Sequence, residues 1–248
     1  MMRKSFSIKI FSATSLKILA CAFMLCDHIG FMFFKDVLLL RVLGRLAFPL
    51  FAFFIAEGCR YTKNKTRRFL SVFILGVICE LFYLVFTHTY YGNILLTFSV
   101  SILLIYLFDA LIKSYYKSKW QFVLLIFTFA LSTFAVYFYC SNIGLDYGFF
   151  GVISPVLAYV PYAFESKEKL LNVFDKTNAS LLLFAVGLFL TIFSKNALDS
   201  QAWCLCALPL LALYNGRRGR FNLKYAFYLF YPLHLALLQL IQFLIDIF

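Results

Sequence analysis

The chain has 248 residues, of which 63% are hydrophobic and 21% aromatic, and its mean hydropathy is +0.88. A soluble domain is about 45–50% apolar, so this composition excludes an ordinary soluble globular protein and indicates an integral membrane protein. The net charge of +12 comes from basic residues in short connections between apolar runs, which is a topology pattern and not a nucleic-acid groove. We therefore expect an all-α, polytopic helix bundle, a single domain over residues 1–248, with no nucleic-acid partner.

The first two apolar runs, residues 16–58, form the most informative stretch of the chain. They predict two membrane-crossing helices joined by a tight turn at Lys35 and Asp36. A charge at the centre of a bilayer costs about 2.5 kcal/mol or more, so charges inside such a hairpin indicate a function. The hairpin carries these ionisable side chains: Lys17, Asp27, His28, Arg41, Arg45 and Glu57.

Further along the chain, the apolar runs and the charges between them predict the topology. Nine spans are expected, at approximately residues 14–34, 37–58, 69–88, 94–112, 120–140, 148–164, 179–195, 201–214 and 223–247. The basic residues concentrate in every second connection, which places the N-terminus in the cytoplasm. The basic and then apolar start of the chain is interpreted as an uncleaved first span. No internal repeat is visible, which argues against transporters built from paired halves.

Polar residues on several spans are predicted to share one layer near the middle of the membrane. At about 1.5 Å per helical residue, His28 lies roughly 16 Å deeper than Lys17. The same rise per residue gives the depth of the polar residues on the other spans. The predicted layer consists of Asp27, His28, Arg45, Glu80 and His234. An imidazole suits proton transfer near neutral pH, so the two histidines are functional candidates. For Asp27, Arg41 and Glu80, a purely structural role in ion pairs is the alternative.

A proline and the cysteines are the remaining candidates for a binding or metal site. Pro232 is predicted to break the last helix two residues before His234 and to open backbone carbonyls beside it. Broken helices near the membrane midplane often mark binding sites. The seven cysteines show no paired metal-ligand spacing, so no metal site is expected.

Six stretches of the chain, in order over about residues 16–238, resemble the TraX family of membrane proteins. They are KILACAFMLCDHIGFMF, GRLAFPLFAFFIAEGCRYTKN, NILLTFSVSILLI, DYGFFGVISP, LYNGRRG and YAFYLFYPLHLALL. The namesake of the family N-acetylates pilin, and the family is similar to membrane-bound acyltransferases that use cytoplasmic acetyl-CoA. In that class a basic residue stands eleven positions before a histidine of the first span, as Lys17 and His28 do here.

The resemblance implies a multi-pass acetyltransferase of the bacterial plasma (inner) membrane, with acetyl-CoA as acyl donor. His28 is then the base, oriented by Asp27 or Glu80, or itself transiently acetylated, and Arg45 stabilises the oxyanion. His234 binds the acceptor or acts in a second proton step. The donor phosphates are expected to bind the basic residues Lys17, Arg41, Arg60, Arg67 and Arg68, although the last three also fit a topology signal.

The acceptor and two other functional classes remain open from the sequence. Besides acetyl-CoA and membrane lipid, the expected partner is pilin, an envelope polysaccharide or a peptide. The alternative function is a small proton-coupled transporter that uses the same histidines and carboxylates as a relay. A third hypothesis is a structural or assembly protein of a secretion system, which would tolerate apolar replacement of His28 and Arg45.

Overall fold

The computed structural model describes residues 9–115, 117–164, 176–194, 200–221 and 223–247. Within these ranges the chain is all-helical, with one isolated β-bridge, Phe11 to Tyr214, and no β-strand, which confirms the expected fold class. The elements are α1 (Ala13–Met32), α2 (Leu38–Gly44), α3 (Ala47–Tyr61), α4 (Lys65–Thr87), α5 (Ile94–Tyr115), α6 (Lys119–Asn142), α7 (Gly148–Ala163), α8 (Lys176–Ser194), a 3-10 helix (Gln201–Cys206), α9 (Ala207–Ala212) and α10 (Lys224–Ile247).

Helical segments occupy all nine predicted positions. In the part of the chain that the structure describes, seven are long and apolar enough to cross a membrane: α1, α2 with α3, α4, α5, α6, α8 and α10. Two shorter apolar segments, α7 and Gln201–Ala212, occupy the positions of the sixth and eighth predicted spans. The protein is therefore a polytopic helical membrane protein, and the cytoplasmic N-terminus stays a prediction. Four basic residues of the predicted topology signal lie outside the described residues: Arg3, Lys4, Lys167 and Lys169.

The chain divides into two compact units, each described by itself. The first unit consists of Met1–Phe51 and Ala197–Phe248, and the second unit consists of Ala52–Asn196. In the first unit α1 packs against α2 and α10, and α2 contacts the 3-10 helix. In the second unit α5 packs against α4, α6 and α7, and α7 packs against α8. Residues far apart in sequence, near the two ends of the chain, thus share the first unit.

The second predicted span contains a break that the hydrophobic pattern did not predict. Helix α2 ends at Gly44 and α3 begins at Ala47. Pro49 explains the break, because its ring has no N–H and clashes in a helix with the carbonyl of the residue four positions earlier, Arg45. In the first turn of α3 a proline is tolerated, since the N–H groups there have no helical partner. The break leaves Arg45 at the end of α2.

The predicted break in the last span, in contrast, was wrong. Helix α10 runs from Lys224 to Ile247 with Pro232 inside it. A proline removes a single helical hydrogen bond, whereas ending the helix in an apolar environment would leave several backbone groups unsatisfied. His234 is consequently presented by a continuous helix and not by an open end.

Candidate functional site

Helices α1 and α2 approach each other closely at Asp27 and Gly44. A Cβ atom at Gly44 would overlap with the Asp27 side chain and would lie 2.7 Å from the Asp27 Cα. One turn further along α1, a Cβ atom at Gly30 would lie 2.8 Å from the Cβ of Leu40. Only glycine permits this contact between helices, and it brings the start of the α2–α3 break next to the carboxylate of Asp27.

Asp27 forms a charged cluster with two arginines of the second span. Nη1 of Arg41 lies 2.9 Å from Oδ1 of Asp27, and Nη2 of Arg45 lies 3.9 Å from the same oxygen. Arg41 also donates a hydrogen bond of 3.1 Å to the backbone carbonyl of Asp27. The contact to Oδ1 is an ion pair without hydrogen-bond alignment. Two guanidinium groups face one carboxylate, so the cluster carries an excess positive charge.

His28 and His234 meet in the same unit. Nε2 of His234 lies 3.4 Å from Nδ1 of His28, and the ring centroids are 5.0 Å apart in an edge arrangement. Nδ1 of His28 lies 2.8 Å from the carbonyl of Met24, and Nδ1 of His234 lies 2.7 Å from the carbonyl of Phe230. A carbonyl only accepts, so Nδ1 is the protonated nitrogen of both neutral rings. Nε2 of His28 therefore carries the lone pair of a base.

The sequence had suggested that Asp27 orients the His28 ring, but the two side chains have different partners. Neighbouring residues of a helix point about 100° apart, and the carboxylate of Asp27 faces the arginines instead. The groups that orient the His28 ring are the Met24 carbonyl and His234. The charges of Asp27, Arg41 and Arg45 all act electrostatically on His28, so the cluster and the histidine pair belong to one polar site in the first unit.

Aromatic rings hold His234 in place. The side chain of Phe230 stacks on the imidazole with a centroid distance of 4.7 Å and an interplanar angle of 10°. Tyr231 approaches its edge at 5.7 Å, and His234 is only 5% exposed. Two aromatic rings of α10 therefore fix the position of a buried imidazole.

Lys17 lies on α1 eleven residues before His28, about 16 Å along the helix axis. Its ammonium group lies 5.8 Å from the ring centroid of Phe227, which is a cation–π distance. One rigid helix thus fixes the separation of Lys17 and His28. Both groups lie on one helix, with the lysine directed toward Phe227 of α10.

A groove of about 620 Å³ begins next to the histidine pair, between the last turns of α1 and α10. Ile29 and Leu238 stand at its start, one and four residues beyond the two histidines in sequence. Its remaining lining is apolar except for one amide: Met32, Phe33, Phe34, Ile241, Gln242 and Ile245. The groove gives the polar site an apolar neighbour able to hold an apolar chain.

Glu80 has a different role from the one that the sequence suggested. Its Oε1 accepts the N–H groups of Tyr91 and Gly92 at 2.7 and 3.0 Å, and its Oε2 accepts two bonds from Asn93, at 2.9 and 2.8 Å. Helix α4 begins at Lys65 and not at residue 69, so Glu80 lies further along it than predicted. The expectation that Glu80 orients His28 is therefore replaced by a structural role, which fixes the connection between α4 and α5.

Arg60, Arg67 and Arg68, the predicted phosphate-binding residues of the second unit, differ in their surroundings. Arg68 donates to the carbonyls of Phe54 and Ile55 at 3.4 and 3.1 Å, and its guanidinium lies where a side chain at position 58 would be. The guanidinium of Arg60 lies 4.1 Å from the ring centroid of Tyr162. Only Arg67 presents an exposed side chain. Arg68 thus connects α3 and α4, a structural use that the charge pattern did not reveal.

Sequence reasoning missed the polar cluster around Asp109 in the second unit. Asp109 is 4% exposed. Its Oδ2 forms ion pairs with the ammonium groups of Lys65 and Lys113, at 2.6 and 2.8 Å. Tyr159 donates to its other oxygen at 3.1 Å. The spacing of four residues between Asp109 and Lys113 was the available signal. The cluster joins α4, α5 and α7, which is a structural role.

Comparison with known proteins gives two relatives and a family match. The family described as "TraX protein" matches residues 12–242. The chain is 32% identical, over 248 aligned positions, to a Dichelobacter nodosus protein described as "Probable fimbrial assembly protein FimC, serogroup H1"; the alignment covers 92% of this chain and 94% of that one. An uncharacterized protein of Rickettsia prowazekii (strain Madrid E) is 28% identical over 178 positions, with 71% of this chain and 62% of that protein covered. No solved structure matches the chain.

Proposed function

The chain belongs to the TraX family, and from this premise and the geometry of the first unit we propose that it is an acetyltransferase of the bacterial plasma membrane. It moves an acetyl group from cytoplasmic acetyl-CoA to an amine or hydroxyl acceptor. The observation that carries the proposal is the histidine pair. Nδ1–H of His28 is held by the Met24 carbonyl and faces His234, which leaves Nε2 of His28 as a base beside an excess positive charge.

His28 acts as general base. Acetyl transfer requires that the acceptor lose a proton as it attacks the thioester carbon, and a positioned imidazole contributes roughly 10²–10⁴-fold to such a step. When Nε2 of His28 takes this proton, the ring becomes an imidazolium whose Nδ1–H faces Nε2 of His234 at 3.4 Å. His234 therefore stabilises the charged form of the base through a contact that already exists in the neutral state.

The arginine cluster supplies positive charge for the oxyanion. Addition of the acceptor places a negative charge on the thioester oxygen, and preorganised cationic groups lower the energy of that state most in a water-poor site. Arg45 is the candidate because the end of α2 places its Nη2 3.9 Å from Oδ1 of Asp27, and Arg41 binds Asp27 at 2.9 Å and through the backbone carbonyl. Arg41 then holds Asp27, and Asp27 positions Arg45.

The reaction is balanced without a further reactant. A bond forms between the acceptor nitrogen or oxygen and the acetyl carbon, and the carbon–sulfur bond of acetyl-CoA breaks. The acceptor proton passes to His28 Nε2 and from there to the departing thiolate of CoA. His28 acts in this sequence as the base and Arg45 as the cation, and both return to their starting protonation states.

A pilin-related polypeptide is the acceptor that one relative and the groove favour. The Dichelobacter nodosus relative is described as a probable fimbrial assembly protein. The groove beside the histidine pair is apolar over most of its lining, which suits an acceptor whose reactive group is attached to an apolar segment. Envelope polysaccharides lack such a segment and fit the groove less well.

Acetyl transfer by the purified protein tests the proposal. The protein in nanodiscs is incubated with radiolabelled acetyl-CoA and membrane fractions, and CoA release and transferred label are measured. The variant His28→Asn keeps an N–H for the Met24 carbonyl but has no base, and we expect turnover to fall by roughly 10²–10⁴. The matched control is His88→Asn, since His88 caps α4 in a left-handed conformation (φ 54°) that asparagine tolerates well.

The outcomes separate the acetyltransferase from the transporter alternative. Turnover that is lost only in His28→Asn supports the acetyltransferase. Equal turnover in both variants would remove His28 from the chemistry. If the wild-type protein neither binds CoA nor transfers label, the proposal fails, and uptake of protons with a solute into vesicles becomes the measurement for the transporter alternative, which would use the same histidine contact as a relay.

A further inference from the structure

The connection between α9 and α10, which contains three arginines, is attached along its backbone to the start of α1. We call residues 213–221 the arginine loop. The carbonyl of Leu213 accepts the N–H groups of Ile10 and Phe11 at 2.9 and 3.1 Å, and the carbonyl of Phe11 accepts the N–H of Asn215 at 2.9 Å. The loop therefore forms one body with the N-terminal segment of α1.

The same attachment continues through the arginines themselves. The carbonyl of Arg217 accepts the N–H of Ala13 at 2.9 Å, and the carbonyl of Arg218 accepts the N–H of Thr14 at 3.1 Å. The hydroxyl of Thr14 donates a second bond to the Arg218 carbonyl at 2.6 Å. Two of the N–H groups at the start of α1, which no helical carbonyl can satisfy, are thus bound by the loop.

Two glycines make this docking sterically feasible. Gly216 and Gly219 have φ values of 72° and 99°, in the left-handed region that other residues rarely adopt. A Cβ atom at Gly219 would lie 2.8 Å from both Ser12 Oγ and Thr14 Oγ1. The side chain of Asn215 accepts the N–H of Arg217 at 2.8 Å and closes the turn. The backbone is consequently fixed at both ends of the arginine run.

The arginine side chains themselves are exposed. Arg217, Arg218 and Arg220 all lie on the surface of the first unit, and the sequence contains no acidic residue between Asp199 and Asp246. A topology signal requires only positive charge and no defined backbone. Here, in contrast, hydrogen bonds and two left-handed glycines fix the backbone that carries the three arginines, and the planar fork of each guanidinium suits bidentate binding of a phosphate.

We propose that the arginine loop binds the phosphate groups of the acyl donor. This inference rests on the proposed function and names the donor site that it requires. Thr14, which binds the loop, and His28, the proposed base, lie on the same helix about 21 Å apart. A donor with phosphates at one end and a thioester at the end of a long arm, as in acetyl-CoA, fits two sites separated in this way by one rigid helix.

Two other arginines that the sequence offered as phosphate ligands are engaged with groups of the protein. Arg41 is paired with Asp27, and Arg68 is engaged with two carbonyls of α3. Both side chains are less exposed to solvent than the arginines of the loop. Lys17, one turn into α1 from the loop, extends the basic surface from the arginine loop toward His28.

Binding measurements on the full-length protein in nanodiscs test the inference. The probes are CoA, 3′-dephospho-CoA and pantetheine, which carry decreasing numbers of phosphates. For the double variant Arg217→Gln/Arg220→Gln we expect the Kd for CoA to rise about tenfold or more, with a smaller change for 3′-dephospho-CoA and none for pantetheine. The matched control is Lys117→Gln/Lys119→Gln, which removes two exposed charges from a connection predicted to lie on the same membrane side.

A second variant tests the role of the fixed backbone. Gly219→Ala removes no charge but introduces a Cβ atom beside Ser12 and Thr14, and we expect it to weaken CoA binding as well. His28→Asn should bind CoA with unchanged affinity while losing turnover, which separates the donor site from the chemistry.

Four results would overturn the inference. Equal affinity for CoA in the wild type and the arginine variant, with turnover intact, would refute the loop site and leave the proposed function standing. An unchanged Kd for CoA in Gly219→Ala would refute a fixed loop. If the arginine variant loses CoA binding in nanodiscs of anionic lipid but not in nanodiscs of phosphatidylcholine, the loop is a lipid headgroup site. Absence of CoA binding by the wild type would refute both the inference and the proposed function.

Discussion

Nε2 of His234 lies 3.4 Å from Nδ1 of His28, although 206 positions separate the two histidines in the chain. Each Nδ1 is also within hydrogen-bond distance of the carbonyl four residues earlier in its own helix, Met24 or Phe230. The pair is therefore oriented by local backbone groups, and the contact between the rings follows from the packing of α1 against α10. The two histidines therefore differ in their chemistry, because Nε2 of His234 faces the other ring, whereas Nε2 of His28 is available as a base.

This difference predicts a non-additive pair of substitutions. We expect His28→Asn to lower kcat by roughly 10²–10⁴ and His234→Asn to lower it by less, because His234 acts through His28. The double variant should be no slower than His28→Asn alone, and the KM for acetyl-CoA should remain constant in all three. Independent, multiplying losses would show that His234 has its own role in the reaction, for example in binding the acceptor.

Gly44→Ala is expected to destabilise the first unit. The added methyl group overlaps with the side chain of Asp27, and overpacking of this kind costs about 1–3 kcal/mol. Thermal unfolding in detergent, followed by tryptophan fluorescence, measures the effect. Gly30→Ala is the matched comparison, since the added atom meets one side-chain carbon of Leu40 at 2.8 Å, and its Tm should fall by less. A Tm of Gly44→Ala equal to that of the wild type would contradict the close approach of α1 and α2.

The Asp27 cluster predicts a rescue by a second substitution. Asp27→Asn leaves two arginines without their carboxylate, and breaking such a pair inside a protein costs up to roughly 3–5 kcal/mol when it is fully buried. We expect a smaller loss here because the Asp27 side chain is 21% exposed. Adding Arg41→Met should restore part of the Tm, since it removes the excess charge.

The control for the cluster is Asp36→Asn in the exposed turn between α1 and α2, for which the Tm should not change. If Arg41→Met lowers the Tm further in the Asp27→Asn background, Arg41 is held by groups other than Asp27. Activity of the double variant then shows whether Arg45 alone suffices for the oxyanion.

Glu80→Gln is expected to loosen the connection between α4 and α5. The amide places an N–H₂ group where the carboxylate accepts backbone N–H groups of Tyr91, Gly92 or Asn93, and an unsatisfied buried group costs about 1–3 kcal/mol. Hydrogen exchange of the residues 88–93 measures the loosening. If the hydrogen-exchange protection equals that of the wild type and kcat falls as much as in His28→Asn, Glu80 acts in catalysis and not in the connection.

The sequence by itself determined that the protein is an all-α membrane protein with helical segments at nine positions, because a lipid environment forces apolar runs into helices. It also determined the residues of interest, since Asp27, His28, Arg45 and His234 are expensive in an apolar segment and stand out against it. The break at Arg45 was also implicit in the sequence through Pro49, but the hydrophobic pattern concealed it.

Only the tertiary structure decided which of these groups meet. Depth along a predicted helix gives one coordinate, whereas the direction of a side chain depends on helix rotation and packing, which glycines such as Gly44 control. For this reason the structure joined His28 to His234 and Asp27 to the arginines, and assigned Glu80 to its own loop. The docking of the arginine loop on α1 could not be predicted either, because most of its hydrogen bonds join backbone groups that every sequence possesses.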